Sequence, residues 1–248
     1  MKKTRIFAVV LCVILAAATM VSCGDKTENY GLTKTLKEDE FIIHYAKGDE
    51  QAAQDIMPIL KAGKEKICEA LEFGEDATVL NLYLFSDKDS FANYFPDEAQ
   101  KGYTGFTKPS GIYMLSPSIY SNSKYAYNEF ASHLPVHEMT HFFIKHNLEC
   151  NENNKLIHEG IANYLASDDA RLKEYLRWAH LNPKTYNDLF DYATAAQCGP
   201  SFFYFIDSEY GWDKAIELVK TSDFEKIFGK DEETMVAEWA EFMESYQI

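Results

Sequence analysis

The chain has 248 residues, 46% of them hydrophobic, and sets 24 lysines and arginines against 39 aspartates and glutamates for a net charge of −15. That acidic balance argues against nucleic acid as a partner and against a polybasic membrane contact. The length and apolar content suffice for one domain with a substantial core, and no repeat or low-complexity insert divides it.

Residues 1–22 read as a secretion signal. Lys2, Lys3 and Arg5 make a basic start, and Phe7 through Val21 form an apolar run too short for a comfortable transmembrane helix. The run ends Met20-Val21-Ser22-Cys23, which resembles a bacterial lipoprotein signal whose cysteine receives lipid. Cys23 is therefore the expected lipidation site, and the expected location is the extracytoplasmic side of the cell envelope. Conventional cleavage and free secretion is the other reading of the same leader. The polar stretch up to residue 40 suits a flexible tether, so residues 23–40 are expected to link the lipid to a single domain over 41–248. Losing the three basic residues of the leader leaves 21 basic against 39 acidic residues, a mature charge of −18.

Phe41-Ile42-Ile43-His44-Tyr45 reads as a strand. Gln51 to Leu71 has the apolar spacing of an amphipathic helix, which Pro58 should kink or split. Thr78 to Phe85 is the strongest strand signal, followed by a short helix through Phe91 and Tyr94 that Asp87 or Asp89 could cap. Gly102 to Phe106 reads as a turn or adjoining strand, and Gly111 to Leu115 as a further strand in which Tyr113 packs. From residue 130 onward the pattern is almost wholly helical, with Trp212, Ile216, Val219, Phe224, Ile227, Phe228, Trp239 and Phe242 read as core. A mixed sheet with a helix, then a mostly helical half, implies an α+β fold.

The cysteines of the mature domain are Cys68, Cys150 and Cys198. Export permits a Cys150–Cys198 disulfide, and unpaired buried thiols are equally compatible with the sequence.

The most informative stretch is His137-Glu138-Met139-Thr140-His141. Two imidazoles four residues apart on a helix lie about 40° apart around its axis and one turn apart along it, so both can reach one metal ion. Glu138 points to a neighbouring face, near enough to serve as a base without ligating the metal. These residues in this order are the minimum equipment of a zinc hydrolase. Ser132 is a candidate cap, Pro135 fits a first turn, and Asn147 a C-terminal stop. His133, one turn before His137, is expected to face substrate or solvent.

A second amphipathic helix follows the polar break at residues 151–154. It holds Leu156-Ile157-His158-Glu159-Gly160-Ile161-Ala162-Asn163-Tyr164-Leu165. A carboxylate from Glu159 would complete the two histidines to three protein ligands and leave a fourth position open. His158 competes as a ligand but points about 100° away from Glu159 on the same helix. Gly160 and Ala162 are small enough to let the two helices approach closely around the metal.

With His137-Glu-x-x-His141 followed after seventeen residues by Glu159-Gly160-x-Ala162, the chain resembles the gluzincin metallopeptidases, in particular the compact peptidase MA-like group related to thermolysin. Ser201 to Phe205 leading to Glu209-Tyr210-Gly211, and Phe228-Gly229 before Trp239, look like the family's later helices, so the resemblance spans roughly residues 40–246. It implies a thermolysin-like catalytic core with one Zn2+ held by His137, His141 and Glu159, and with Glu138 as general base. A peptide or protein would be the substrate, and Tyr192 or Tyr204 the donor to the oxyanion. In gluzincins the strand matching Gly111–Leu115 lies at the sheet edge beside the cleft, where it could pair with an extended peptide. Family members usually carry Asp or Glu four residues after the ligand glutamate. Asn163 stands there instead, able to accept an imidazole N–H but adding no negative charge. The alternatives are a surface-binding lipoprotein that keeps the fold without catalysis, and an amidase acting on cell-wall peptides.

Overall fold

Residues 30–148 and 154–246 are described by a computed structural model of the chain. The signal, Cys23 and Cys150 lie outside them. Five strands form one mixed sheet: β1 (Lys34–Glu38), β2 (Phe41–Tyr45), β3 (Leu80–Phe85), β4 (Gly105–Lys108) and β5 (Gly111–Leu115). Their order is β1-β2-β3-β5-β4, with β2, β3 and β5 parallel and the two outer strands antiparallel to their neighbours.

The period-two alternation of the strands divides two cores. Leu80, Leu82 and Leu84 of β3, with Ile112 and Met114 of β5, face the large core shared with the helices. Tyr83, Phe85, Tyr113 and Leu115 face a smaller aromatic layer on the other side. There His44, Tyr83, Tyr113 and Phe106 stack in a row across four strands, at centroid spacings of 4.6, 4.6 and 5.3 Å. Tyr113 is thus a packing residue.

Helix α1 (Glu50–Leu71) buries Ala53, Ile56, Met57, Leu60 and Ile67. It runs through Pro58 as one element rather than two; that proline sits on the exposed side of the helix. The short helices α2 (Lys88–Tyr94) and α3 (Pro96–Gln100) follow β3, and Asp87 caps the first by accepting from the Ser90 amide. Helix α4 (Lys124–Asn128) then leads through a π-turn at Glu129–His133 into α5 (Leu134–Asn147). Ser132 does not cap α5; its hydroxyl donates back to the Asn128 carbonyl at 2.6 Å. The widened turn comes just before Pro135, whose missing N–H disrupts an α-helical ladder least where the bonding register is already changing.

The remaining helices are α6 (Lys155–Ala166), α7 (Asp169–Leu181), α8 (Tyr192–Tyr210), α9 (Trp212–Thr221), α10 (Phe224–Phe228) and α11 (Glu232–Ser245). Asn154 caps α6 by accepting from the Ile157 amide. Of the expected C-terminal core, Ile216, Val219, Phe224 and Trp239 are buried, and Trp212, Ile227, Phe228 and Phe242 pack around them. Cys68 and Cys198 are free thiols. Among the described residues no helix is long and apolar enough to cross a membrane.

Three further expectations are corrected by the fold. Residues 34–38, read as tether, form β1 and pair along all of β2, so the folded unit begins before Phe41. Their charged, exposed side chains mark a protected edge strand as well as they mark a linker. The cleft-side edge of the sheet is β4, because the hairpin 105–115 folds back and places β4 outside β5. Gly160 does not bring α5 and α6 together: it faces α8, where a Cβ on Gly199 would lie 2.2 Å from the Gly160 Cα. The two helices can cross this closely only because neither residue has a side chain.

Candidate metal centre

The four-residue repeat on α5 puts His137 and His141 on one face, and α6 crosses beside it with Glu159 turned inward. Nε2 of His137 and Nε2 of His141 stand 3.2 Å apart. The Glu159 carboxylate completes the triangle, with Oε2 at 3.4 Å from His137 Nε2 and Oε1 at 3.6 Å from His141 Nε2. Donors held about 2.0–2.1 Å from one ion at tetrahedral angles stand roughly 3.3 Å apart, so the three edges match a shared metal. This group can hold a metal ion.

Asn163, one turn after Glu159, orients the group. Its Nδ2 donates to the Ala196 carbonyl at 3.2 Å, which turns Oδ1 toward Nδ1 of His137 at 2.9 Å. An amide oxygen only accepts, so the Nδ1 of His137 carries the hydrogen and the neutral ring presents its Nε2 lone pair to the centre. The charge balance favours a cation there. Burial alone would lower the His137 pKa, yet the carboxylates of Glu159 and Glu138 outweigh it and raise it. Burial likewise opposes ionisation of Glu159, but the two imidazoles hold it far below the usual carboxylate range.

Glu138 is buried beside the three donors, and its carboxylate accepts at Oε2 from the Thr107 hydroxyl of β4 at 2.9 Å. Gly105 of the same strand leaves room for it, since a Cβ there would sit 3.2 Å from Glu138 Oε1. These residues line a cleft of about 220 Å³, together with Phe106, His158 and Tyr192.

Tyr192, at the start of α8, lines the cleft; burial first, then the Glu159 charge, raise its pKa. Tyr204 is not near the centre. It lies three turns further along α8 and packs against Phe242 and Tyr246, so of the two tyrosines Tyr192 alone lines the cleft. His158 lines the cleft but is not one of the three clustered donors. His133 faces neither substrate nor solvent: it is buried, with Nε2 3.2 Å from Asn163 Oδ1 and Nδ1 3.3 Å from the Ala166 carbonyl oxygen. Burial, then Arg171, push its pKa down to about 3. A cleft contact with no linear signal is that of Thr107, which stands 31 residues before Glu138 on a different element.

Comparison with protein-family models and with curated proteins returns no match.

Proposed function

We propose that the protein is a zinc metallopeptidase of gluzincin type that hydrolyses peptide bonds, anchored to the extracytoplasmic face of the envelope through Cys23. The observation carrying this reading is the convergence of His137, His141 and Glu159 on edges of 3.2 to 3.6 Å, with Glu138 beside them in one cleft. Two imidazoles and one carboxylate are the protein donors of a catalytic zinc site that keeps a fourth position open. Zinc held there would polarise a carbonyl and acidify water at neutral pH.

The chain's own groups divide the remaining work. Glu138 takes the proton of the attacking water on its carboxylate and hands it to the leaving amine nitrogen. The Thr107 hydroxyl keeps that carboxylate in place, and Asn163 holds the His137 tautomer. Tyr192, whose raised pKa keeps its O–H intact at working pH, donates to the oxygen where charge develops. Among the described residues no strand pairs with the outer edge of β4, so an extended peptide can add there as a sixth strand along the cleft.

A broad peptide library incubated with zinc-loaded protein tests this. Cleavage should occur, cease on chelation and return with zinc. Stoichiometric zinc without cleavage of any peptide would favour the binding-only alternative, and cleavage confined to peptidoglycan fragments would favour the amidase.

A further inference from the structure

Two tyrosine rings meet at the cleft. Tyr103 stands just before β4, on the sheet side, and Tyr192 opens α8 on the helical side. Both line the cleft, with ring centroids 6.3 Å apart and planes inclined by 39°. Each is anchored through the backbone around it. The Tyr103 amide donates to the Glu98 carbonyl at 3.0 Å, and the Thr104 carbonyl accepts from the Leu115 amide at 2.8 Å. Asp191 caps α8 by accepting from the Thr194 amide. The rings themselves are not sunk in the core: Tyr103 is 37% exposed and Tyr192 41% exposed. The Lys101 ammonium, 5.9 Å from the Tyr103 centroid, steadies that ring from its own segment.

We propose that Tyr103 and Tyr192 form an aromatic clamp, and that the preferred substrates are peptides with an aromatic side chain next to the scissile bond. The word substrate rests on the peptidase reading; the clamp itself does not. Carbon atoms in contact lie about 3.5–4.0 Å apart, so a flat ring held between two others needs a centroid spacing of about 7–8 Å. The two tyrosines reach it by separating about 1–2 Å, a rotation that exposed side chains make within nanoseconds. An aromatic guest presents a face to each tyrosine, whereas a branched aliphatic side chain buries apolar area without stacking. The clamp uses ring faces and leaves the Tyr192 hydroxyl for the oxyanion.

The test uses capped peptides that differ only in Phe or Leu at a position flanking the cleaved bond. Zinc-loaded protein should favour Phe over Leu by about three- to tenfold in kcat/KM. In Tyr103→Ala the ratio should fall toward one, and Tyr103→Leu, which keeps bulk but not a flat face, should lose it as well. Tyr103→Phe should keep it, because the clamp needs the ring and not its hydroxyl. The same peptides titrated into zinc-loaded Glu138→Gln protein should show the same order in affinity, read without turnover. Leu peptides taken as well as Phe peptides by the wild type would overturn the clamp. So would a ratio that Tyr103→Ala preserves while slowing both peptides equally, the behaviour of a residue that only packs. Phe-selective binding with no cleavage by the wild type would remove the peptidase reading and leave the clamp standing.

Discussion

Thr107 shares its hydroxyl proton between two oxygens of Glu138, the carboxylate Oε2 and the backbone carbonyl, each at 2.9 Å. One side chain of the edge strand thereby sets both the seat and the orientation of the proposed base. The strand that would bind substrate and the helix that would deliver catalysis are held in one register.

Removing that hydroxyl should act on turnover rather than on binding. Thr107→Val is expected to lower kcat about tenfold with little change in KM, and Thr107→Ser to recover most of the loss. Steady-state kinetics on a responsive peptide check this; an unchanged kcat in the valine variant would show that Glu138 needs no such support.

Asn163 should matter through the metal. Asn163→Ala leaves His137 Nδ1 without its acceptor, so zinc affinity is expected to fall about 10- to 100-fold in competition with a chromogenic chelator. Asn163→Asp keeps the acceptor and adds negative charge, and should bind zinc at least as tightly as the wild type. Equal affinity in the alanine variant would contradict the orienting role.

Much of this centre is legible in the sequence because helical periodicity is strict. His137, His141, Glu159 and Asn163 all follow from residues four apart on two helices, and they meet as that spacing requires. The strands β2, β3 and β5 are legible for the same reason, through alternation. Contacts between distant elements are not. Nothing local joins Thr107 to Glu138 or Gly160 to Gly199, and the place of β4 at the sheet edge depends on which way a hairpin folds back. Tyr192 and Tyr204 are alike in the linear chain because both fall in the same apolar helix. Only the direction of α8 separates the cleft from the far packing layer.

The glycine crossing carries its own expectation. A Cβ on Gly199 would lie 2.2 Å from the Gly160 Cα, a clash between backbones that no rotamer relieves. Gly199→Ala should destabilise the fold by about 1–3 kcal/mol, lowering Tm by roughly 3–10 °C. It should also loosen zinc binding, because Glu159 is the neighbour of the displaced residue. Thermal unfolding with and without zinc reads both, and an unchanged Tm would refute the tight crossing.

His133 predicts a pH effect with a definite sign. Its folded pKa is about 3 against an ordinary 6.5, so between those values the unfolded chain binds a proton that the folded chain excludes. Its contribution to stability is complete above about 6.5 and drains away as pH falls toward 3. Metal-free wild type should therefore lose about 2 kcal/mol more than His133→Gln between pH 7 and pH 5 in urea unfolding. Parallel losses in the two proteins would mean that this ring is not excluded from protonation.

The most direct test of the three-donor centre is the zinc content of Glu159→Ala compared with that of Glu138→Gln after dialysis against the same chelator. Wild type and Glu138→Gln should each retain one equivalent, the latter with turnover reduced by about 10²- to 10⁴-fold, while Glu159→Ala should emerge empty. Full zinc retention by Glu159→Ala, or wild-type turnover by Glu138→Gln, would contradict the roles assigned to these two carboxylates.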